Sequence, residues 1–503
     1  MKKLFKNAIF HLLDDKNKKA KSILVDNGKI IEIYFDEPSP HNNVECIDLK
    51  GNHVYPGFID THTHSFEGGY YSQSINMLHA TSIPQVLELI NDYYRECDKP
   101  DTDVIDAFRF DENNVQEKRF PTMSELDKAC PDVPFVLRRI DGHSSAVNTF
   151  AWKKFINANP KAADLNSKTD SLLRGALNDA VVHWFLENLS EQTVLNAYHN
   201  TGRIAAENGI TAVHTMVGDS QSSISHYKLL QDNLNHFDTE FILYPQSFNI
   251  KAALDVGAAR IGGCILVDGS LGSYTAALRQ PYADKPETSG ILYHDDLFWE
   301  KFITEAAGYN LQVAVHCIGD KAIKQINDIY LKLYNQKNHD LRHELIHCEL
   351  TPDDLLEEIV KSKAIPVMQP AFDLYWGGEG RFYQKVLGKQ RADEMNRYET
   401  FFRKGVIITG GSDWYITELD ALQGIRAAVN HNNPDEALAP LDALKMYTVN
   451  AAWLSHDEKR LGKLEVGFDA DFVCLDSNVL TPEGLKSAKV QSTYKKGKMV
   501  YSL

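Results

Sequence analysis

Between residues 58 and 413, short apolar runs alternate with longer amphipathic stretches, and this alternation limits the fold more than any other feature. The runs span residues 58–64, 135–143, 210–216, 263–270, 312–317, 344–348, 365–369 and 406–413. Near-continuous apolar strands separated by helical segments belong to parallel sheets covered on both faces. Eight of them predict an α/β fold, a (β/α)8 TIM-like barrel. The stretch 66–134 is long for a single strand-to-helix connection and predicts an insertion with its own helices, one near 83–94. Both ends of the chain read differently, as short strands broken by turns: 22–25 and 29–34 around Asp26-Asn27-Gly28, then 470–475 and 498–501. Residues 1–57 and 455–503 are therefore expected to pair into one small sheet domain beside a barrel over 58–454.

Composition excludes several partners. Of the 503 residues 43% are hydrophobic and 24% charged, enough for a large core with an ordinary surface. The net charge of −16 is spread along the chain, so neither nucleic acid nor an anionic membrane, both of which attract basic patches, is an expected partner. The first apolar stretch is interrupted by Lys6, Asn7 and His11 and followed by Asp14 and Asp15, which leaves no signal-peptide core. No run approaches the roughly 18 apolar residues of a membrane span. Seven scattered cysteines read as reduced thiols in a cytoplasmic protein. A small molecule is the expected substrate, and a homodimer is the default oligomer.

In a barrel of this type chemistry sits at the C-terminal strand ends. Those ends carry His62 and His64, His143, His214, Asp268, His316, His347 and Asp413. His62 and His64 are two apart on a strand and project to one face. Imidazoles and carboxylates together are the donors that zinc prefers and that manganese and iron accept. Plainer readings stand beside these. His214 fits a hydrogen-bonded core histidine as well as a substrate contact, and His143 fits a turn. Asp413 can cap a helix or act as a general base. Cys317 and Cys348, which follow His316 and His347, should point outward to the helices by strand alternation.

Several motifs go further. Val54-Tyr55-Pro56-Gly57-Phe58-Ile59-Asp60, His62-x-His64, Asp141-Gly142-His143-Ser144 with Asn148, and Asp268-Gly269-Ser270-Leu271-Gly272-Ser273 occur in order. They are followed by His316-Cys317-Ile318-Gly319-Asp320-Lys321-Ala322, by Asp413 in Gly-Ser-Asp, and by Leu464-Glu465-Val466-Gly467-Phe468-Asp469-Ala470-Asp471. From about residue 20 onward the chain resembles the amidohydrolase superfamily, in particular the family 3 branch that includes N-substituted formamide deformylases. The resemblance implies a barrel with a β-sandwich built from both termini. It also implies metal binding by His62, His64, His316, His347 and Asp413. Two-metal members of that branch carry a lysine four residues before Asp-Gly-Ser, whose carbamate bridges the ions. Cys264 stands there in this chain, either as an unusual thiolate ligand or as a small buried residue beside a single ion. Ile346 stands before His347 where relatives often have Glu.

The resemblance implies hydrolysis of an amide-type C–N bond. One or two divalent ions, zinc first and manganese or iron next, acidify water. Asp413 takes the proton and delivers it to the leaving nitrogen, and His143 or His214 is positioned to polarise the carbonyl. Phe66, Tyr70, Tyr71, Phe372, Tyr375, Trp376, Trp414 and Tyr415 lie in strand-end loops and predict an apolar or aromatic substituent on the substrate. Arg279 and Arg381, near the same loops, are candidates for binding a carboxylate. Two alternatives remain at this point: a ring-amidine deaminase, which typically has a Glu shortly after the strand-five histidine, and a non-catalytic metal-binding relative.

Overall fold

The computed structural model describes residues 2–14, 16–36, 43–97, 103–140, 144–162, 171–218, 224–337 and 341–503. The chain divides into two compact units, Met1–Ser65 with Gly202–Leu503, and Phe66–Thr201.

The larger unit holds two all-parallel sheets. One runs in the order Glu240–Pro245, Ile210–Val217, Phe58–Thr63, and the other Arg260–Leu266, Gln312–Cys317, Glu344–His347, Ile365–Met368, Thr409–Gly410. Every residue of Phe58–Thr63 and Ile210–Val217 is buried, which is why these strands read as continuous apolar runs rather than alternating ones. Side chains from both sheets (Ile59, Ala212, Tyr244, Cys264, Ala314, Ile346 and Val367 among them) share one core. The connecting helices show the expected local logic. Asp353–Ser362 places Asp353 and Asp354 in its first turn, buries Leu355, Leu356 and Ile359 on one face, and stops at Lys363 with φ 60°. Ala421–Val429 starts where the Asp420 side chain accepts from the Gln423 amide.

One strand assignment needs correction. The run expected at 135–143 forms Phe135–Arg139, but it lies in the sheet of the smaller unit, and Glu240–Pro245 pairs in parallel with Ile210–Val217 in the larger one. Arg138 and Arg139 end the apolar run early, and the strand pairs antiparallel with Ser144–Val147. Glu240 and Pro245 bracket only four apolar residues, so that strand's sequence signal is short.

The smaller unit is a five-stranded mixed sheet, Leu172–Arg174, Ser144–Val147, Phe135–Arg139, Ile105–Phe110, Ile75–Asn76, with helices packed on it. The helix expected near 83–94 is Ile83–Glu96, capped by Ser82 and burying Ile83, Val86, Ile90 and Tyr94. Met123–Ala129 opens with a capping box between Thr122 and Glu125. The unit continues to Thr201, well past residue 134.

Strands from both ends of the chain share a six-stranded sheet, Lys498–Ser502, Val490–Lys495, Phe472–Leu475, His53–Pro56, Ile9–His11, Lys19–Ala20. A four-stranded sheet runs Lys29–Tyr34, Ser22–Asp26, Lys3–Lys6, Glu45–Asp48. Phe5, Ile23 and Val25 from the second pack with Phe10, Val54, Phe472 and Tyr494 from the first. Among the described residues no helix is long and apolar enough to cross a membrane.

Candidate metal centre

The site begins with the carboxylate of Asp60. Its two oxygens accept the Ser412 amide, each at 3.0 Å, and Oδ1 also accepts the His62 amide at 3.1 Å. Asp413 N donates to His62 O at 2.9 Å and His64 N to Trp414 O at 2.6 Å. The end of Phe58–Thr63 is thereby stitched to the segment after Thr409–Gly410. Gly411 allows the approach, since a Cβ there would sit 2.7 Å from His62 N. Asp413 has φ 54°, and its Oδ1 lies 3.3 Å from both His62 Nε2 and His64 Nε2.

Across the site, Arg260–Leu266 bulges. Gly262 and Gly263 adopt φ 100° and 81°, and the pairing register with Gln312–Cys317 shifts between Gly262 and Leu266. Such a bulge re-aims the side chain that follows it, here Cys264. Its Sγ lies 4.0 Å from His316 Nδ1. The His316 and His347 ring centroids are 4.6 Å apart, and His347 Nδ1 donates to Gln369 Oε1 at 2.7 Å.

These side chains form three overlapping groups: His62, His64 and Cys264; Cys264, His316 and His347; His62, His347 and Asp413. Within each group the ligand atoms lie within 4.8 Å of one another. Cys264, His62 and His347 each belong to two of them. His62 Nε2 and Asp413 Oδ1 are buried and face each other at 3.3 Å without the alignment of a hydrogen bond, an arrangement that leaves both free to bind something else. Imidazole, thiol and carboxylate converging on such atoms fit a divalent metal ion.

The electrostatics point the same way. Burial raises the Cys264 thiol, yet His316, His347, His62 and His64 together bring it well below its ordinary value. Burial also raises Asp413, and His62 and His64 outweigh it, holding the carboxylate ionised. Burial lowers His62, but Asp413 and Cys264 lift it to about 9. Anionic donors are thus stabilised by positive charge at the centre, a place a metal cation would take from protons.

With this geometry in view, the sequence match is informative. The model of the amidohydrolase family matches residues 45–501. The chain belongs to the amidohydrolase family. It is 28% identical to "Putative amidohydrolase YtcJ" of Bacillus subtilis (strain 168), over 91% of this chain and 90% of that protein. To the N-substituted formamide deformylase of Arthrobacter pascens it is 23% identical, covering 98% and 97%. Among solved structures, an uncharacterized metal-dependent hydrolase from Pyrococcus furiosus superposes with a TM-score of 0.78 at 25% identity, covering 96% of this chain and 100% of that one.

A cavity of about 600 Å³ opens on the centre of this amidohydrolase, lined by His64, Cys264, His316, His347 and Asp413 and otherwise mostly by apolar side chains. Of the aromatics expected to line it, Phe372 and Trp376 do. Tyr375 donates instead to Glu418 at 2.6 Å, and Trp414 and Tyr415 are not in the lining. Phe66, Tyr70 and Tyr71 belong to the smaller unit, where Phe66 stacks on Tyr70 and Tyr71 meets Arg138. Neither candidate arginine reaches the cavity. Arg279 pairs with Asp354 at 2.7 Å, and Arg381 donates to the carbonyls of Leu374 and Tyr375.

Three strand-end residues serve elsewhere or lie out of view. His143 falls outside the described residues. His214 is fully buried, with Nδ1 3.0 Å from Tyr244 Oη, which donates to Glu344 Oε1 at 2.8 Å. Asp268 accepts the amides of Ala277, Ile318 and Gly319 at 2.8, 3.0 and 2.9 Å and so fixes the loops beside His316. Cys317 and Cys348 are buried and do not line the cavity. Sequence reasoning missed Gln369, Glu349 and Tyr383. Gln369 closes the apolar run 365–369 in the way the histidines close theirs, which was a usable signal.

Proposed function

We propose that this chain is a metal-dependent hydrolase that cleaves an amide-type C–N bond of a small molecule. The observation that carries the reading is the gathering of six donor side chains in three overlapping groups, with the ligand atoms of each group within 4.8 Å of one another. His62, His64, Cys264, His316, His347 and Asp413 are assigned as ligands to one or two divalent ions, with zinc the first choice and manganese or iron next. Cys264, with two histidines on either side of it, would contribute a thiolate to an ion held there. We place the site at the mouth of a (β/α)8 barrel, with a β-sandwich made from 1–57 and 455–503, in a protein that works in the cytoplasm.

A divalent ion held there supplies acidified water and a polarised carbonyl. Asp413, beside the donor set, would accept a proton from the attacking water and return it to the leaving nitrogen. Gln369 holds His347 in the tautomer whose Nε2 faces the other donors. Phe372 and Trp376 receive an apolar substituent and keep bulk water from the reacting bond. His214, tied to Tyr244, has a supporting place beneath the donor cluster.

The test is a panel of N-formyl and N-acyl amines offered to metal-loaded and chelator-treated protein, with the released amine quantified. Turnover by the loaded form alone, with acid and amine in equal amounts, is expected. Ammonia release from ring amidines with no amide cleavage would replace this reading with deamination.

A further inference from the structure

We infer that Glu349 and Tyr383 form a donor-recognising wall in the cavity, so that the substrate's apolar substituent carries a cationic nitrogen rather than a carboxylate. This rests on the amide-hydrolase reading and specifies its substrate class.

The cavity is apolar along Leu266, Leu271, Ile318, Phe372, Trp376 and Phe382, and a ligand group placed there gains by leaving water. Glu349 interrupts that surface. It is 3% exposed, and its backbone carbonyl accepts Asn396 N at 2.8 Å. Tyr383 Oη donates to its Oε2 at 2.7 Å, which leaves the second carboxylate oxygen for a ligand. Tyr383 is itself fixed, packing with Leu271, Tyr282, Val386 and Leu387. A carboxylate seated in an apolar wall is costly without a partner, and a bound N–H cation provides a charge-assisted hydrogen bond.

The opposite charge finds nothing. Among the described residues no lysine or arginine lines the cavity. Arg279 and Arg381 are held by Asp354 and by backbone carbonyls. Apart from an ion held by the donor set, a substrate carboxylate would therefore meet Glu349 and neither lysine nor arginine.

The test uses three non-hydrolysable benzyl ketones that differ only in the para group: dimethylaminomethyl, isobutyl or carboxymethyl. Their dissociation constants are measured by calorimetry on the metal-loaded protein. The amine should bind about tenfold tighter than isobutyl, and the carboxylate more weakly than both. Glu349→Gln, close in shape, should bring the amine to within twofold of isobutyl, and Tyr383→Phe should reduce its advantage several-fold. Equal affinities, a reversed order, an order unchanged in Glu349→Gln, or no binding by any of the three overturns the assignment. The matching formamides separate this from the broader reading. Turnover with no dependence on charge retains amide hydrolysis and removes the wall, whereas the charge order in binding without turnover does the reverse.

Discussion

Gln369 Oε1 sits 2.7 Å from His347 Nδ1, and the acceptor decides which ring nitrogen of His347 carries its proton. Replacing it with an apolar side chain leaves the ring free to flip or change tautomer. Gln369→Leu should weaken metal binding by roughly 10–100-fold. Gln369→Glu keeps an acceptor and should recover most of that loss. Competition against a chromogenic chelator measures both, and equal affinity in all three proteins would remove Gln369 from the site's support.

Cys264 lies between the two histidine pairs because the Gly262-Gly263 bulge turns it there. Metal content per chain, measured on wild type and Cys264→Ala together, should fall from two ions to one. Cobalt-loaded wild type should show a thiolate charge-transfer band in the near ultraviolet, absent from Cys264→Ser. A wild type with one ion and no such band would make Cys264 a packing residue.

On the proposed assignment, Asp413→Asn removes both a ligand and the proton acceptor. The rate constant should drop by about 10²–10⁴. His62 and His64 hold the Asp413 carboxylate ionised in the metal-free site, and a cation taking the place of their protons would do the same, so its own titration should not form the acid limb of the rate profile near neutrality. A limb that disappears in Asp413→Asn while activity persists would contradict this.

Glu240 couples the parallel sheet to the C-terminal strands through Arg460 and Lys495, the latter at 2.9 Å. Burial raises its carboxyl, but Lys495 and Arg460 prevail and lower it from 4.5 to about 2. A depressed acid stabilises the fold above its unfolded value and loses that contribution as pH falls through its folded one. Allowing for partial exposure, the contribution is on the order of 2 kcal/mol at pH 7. Thermal unfolding should place Glu240→Gln about 2 degrees below wild type at neutral pH. The gap should close between about pH 4.5 and 2. A gap independent of pH would point to lost packing instead.

Much of the centre could be read from the chain because polar residues at the ends of buried strands are conspicuous. His62, His64, His316, His347 and Asp413 each follow or close an apolar run, and the structure brings all five together with Cys264. The pocket wall was less legible. Phe66, Tyr70 and Tyr71 follow the first strand in sequence, yet they fold into a separate unit, and adjacency in the chain gave no sign of that. Glu349 lies two residues past His347 in a segment with no periodic pattern, so only the fold places it in the cavity. Phe135–Arg139 and Glu240–Pro245 exchanged roles for a related reason: a short apolar run shows that a strand exists, but not which sheet it joins.

The Asp60 carboxylate, which fastens Ser412 to the strand bearing His62, separates the demands on this molecule. The donor atoms hang from strand ends joined by backbone hydrogen bonds, so their spacing cannot drift without breaking several bonds together. Phe372, Trp376, Phe382 and Tyr383 sit on short helical segments outside that lattice. A lineage built in this way can exchange what it recognises while leaving how it reacts untouched, and new substrates would arise by substitution along the wall above an unaltered floor.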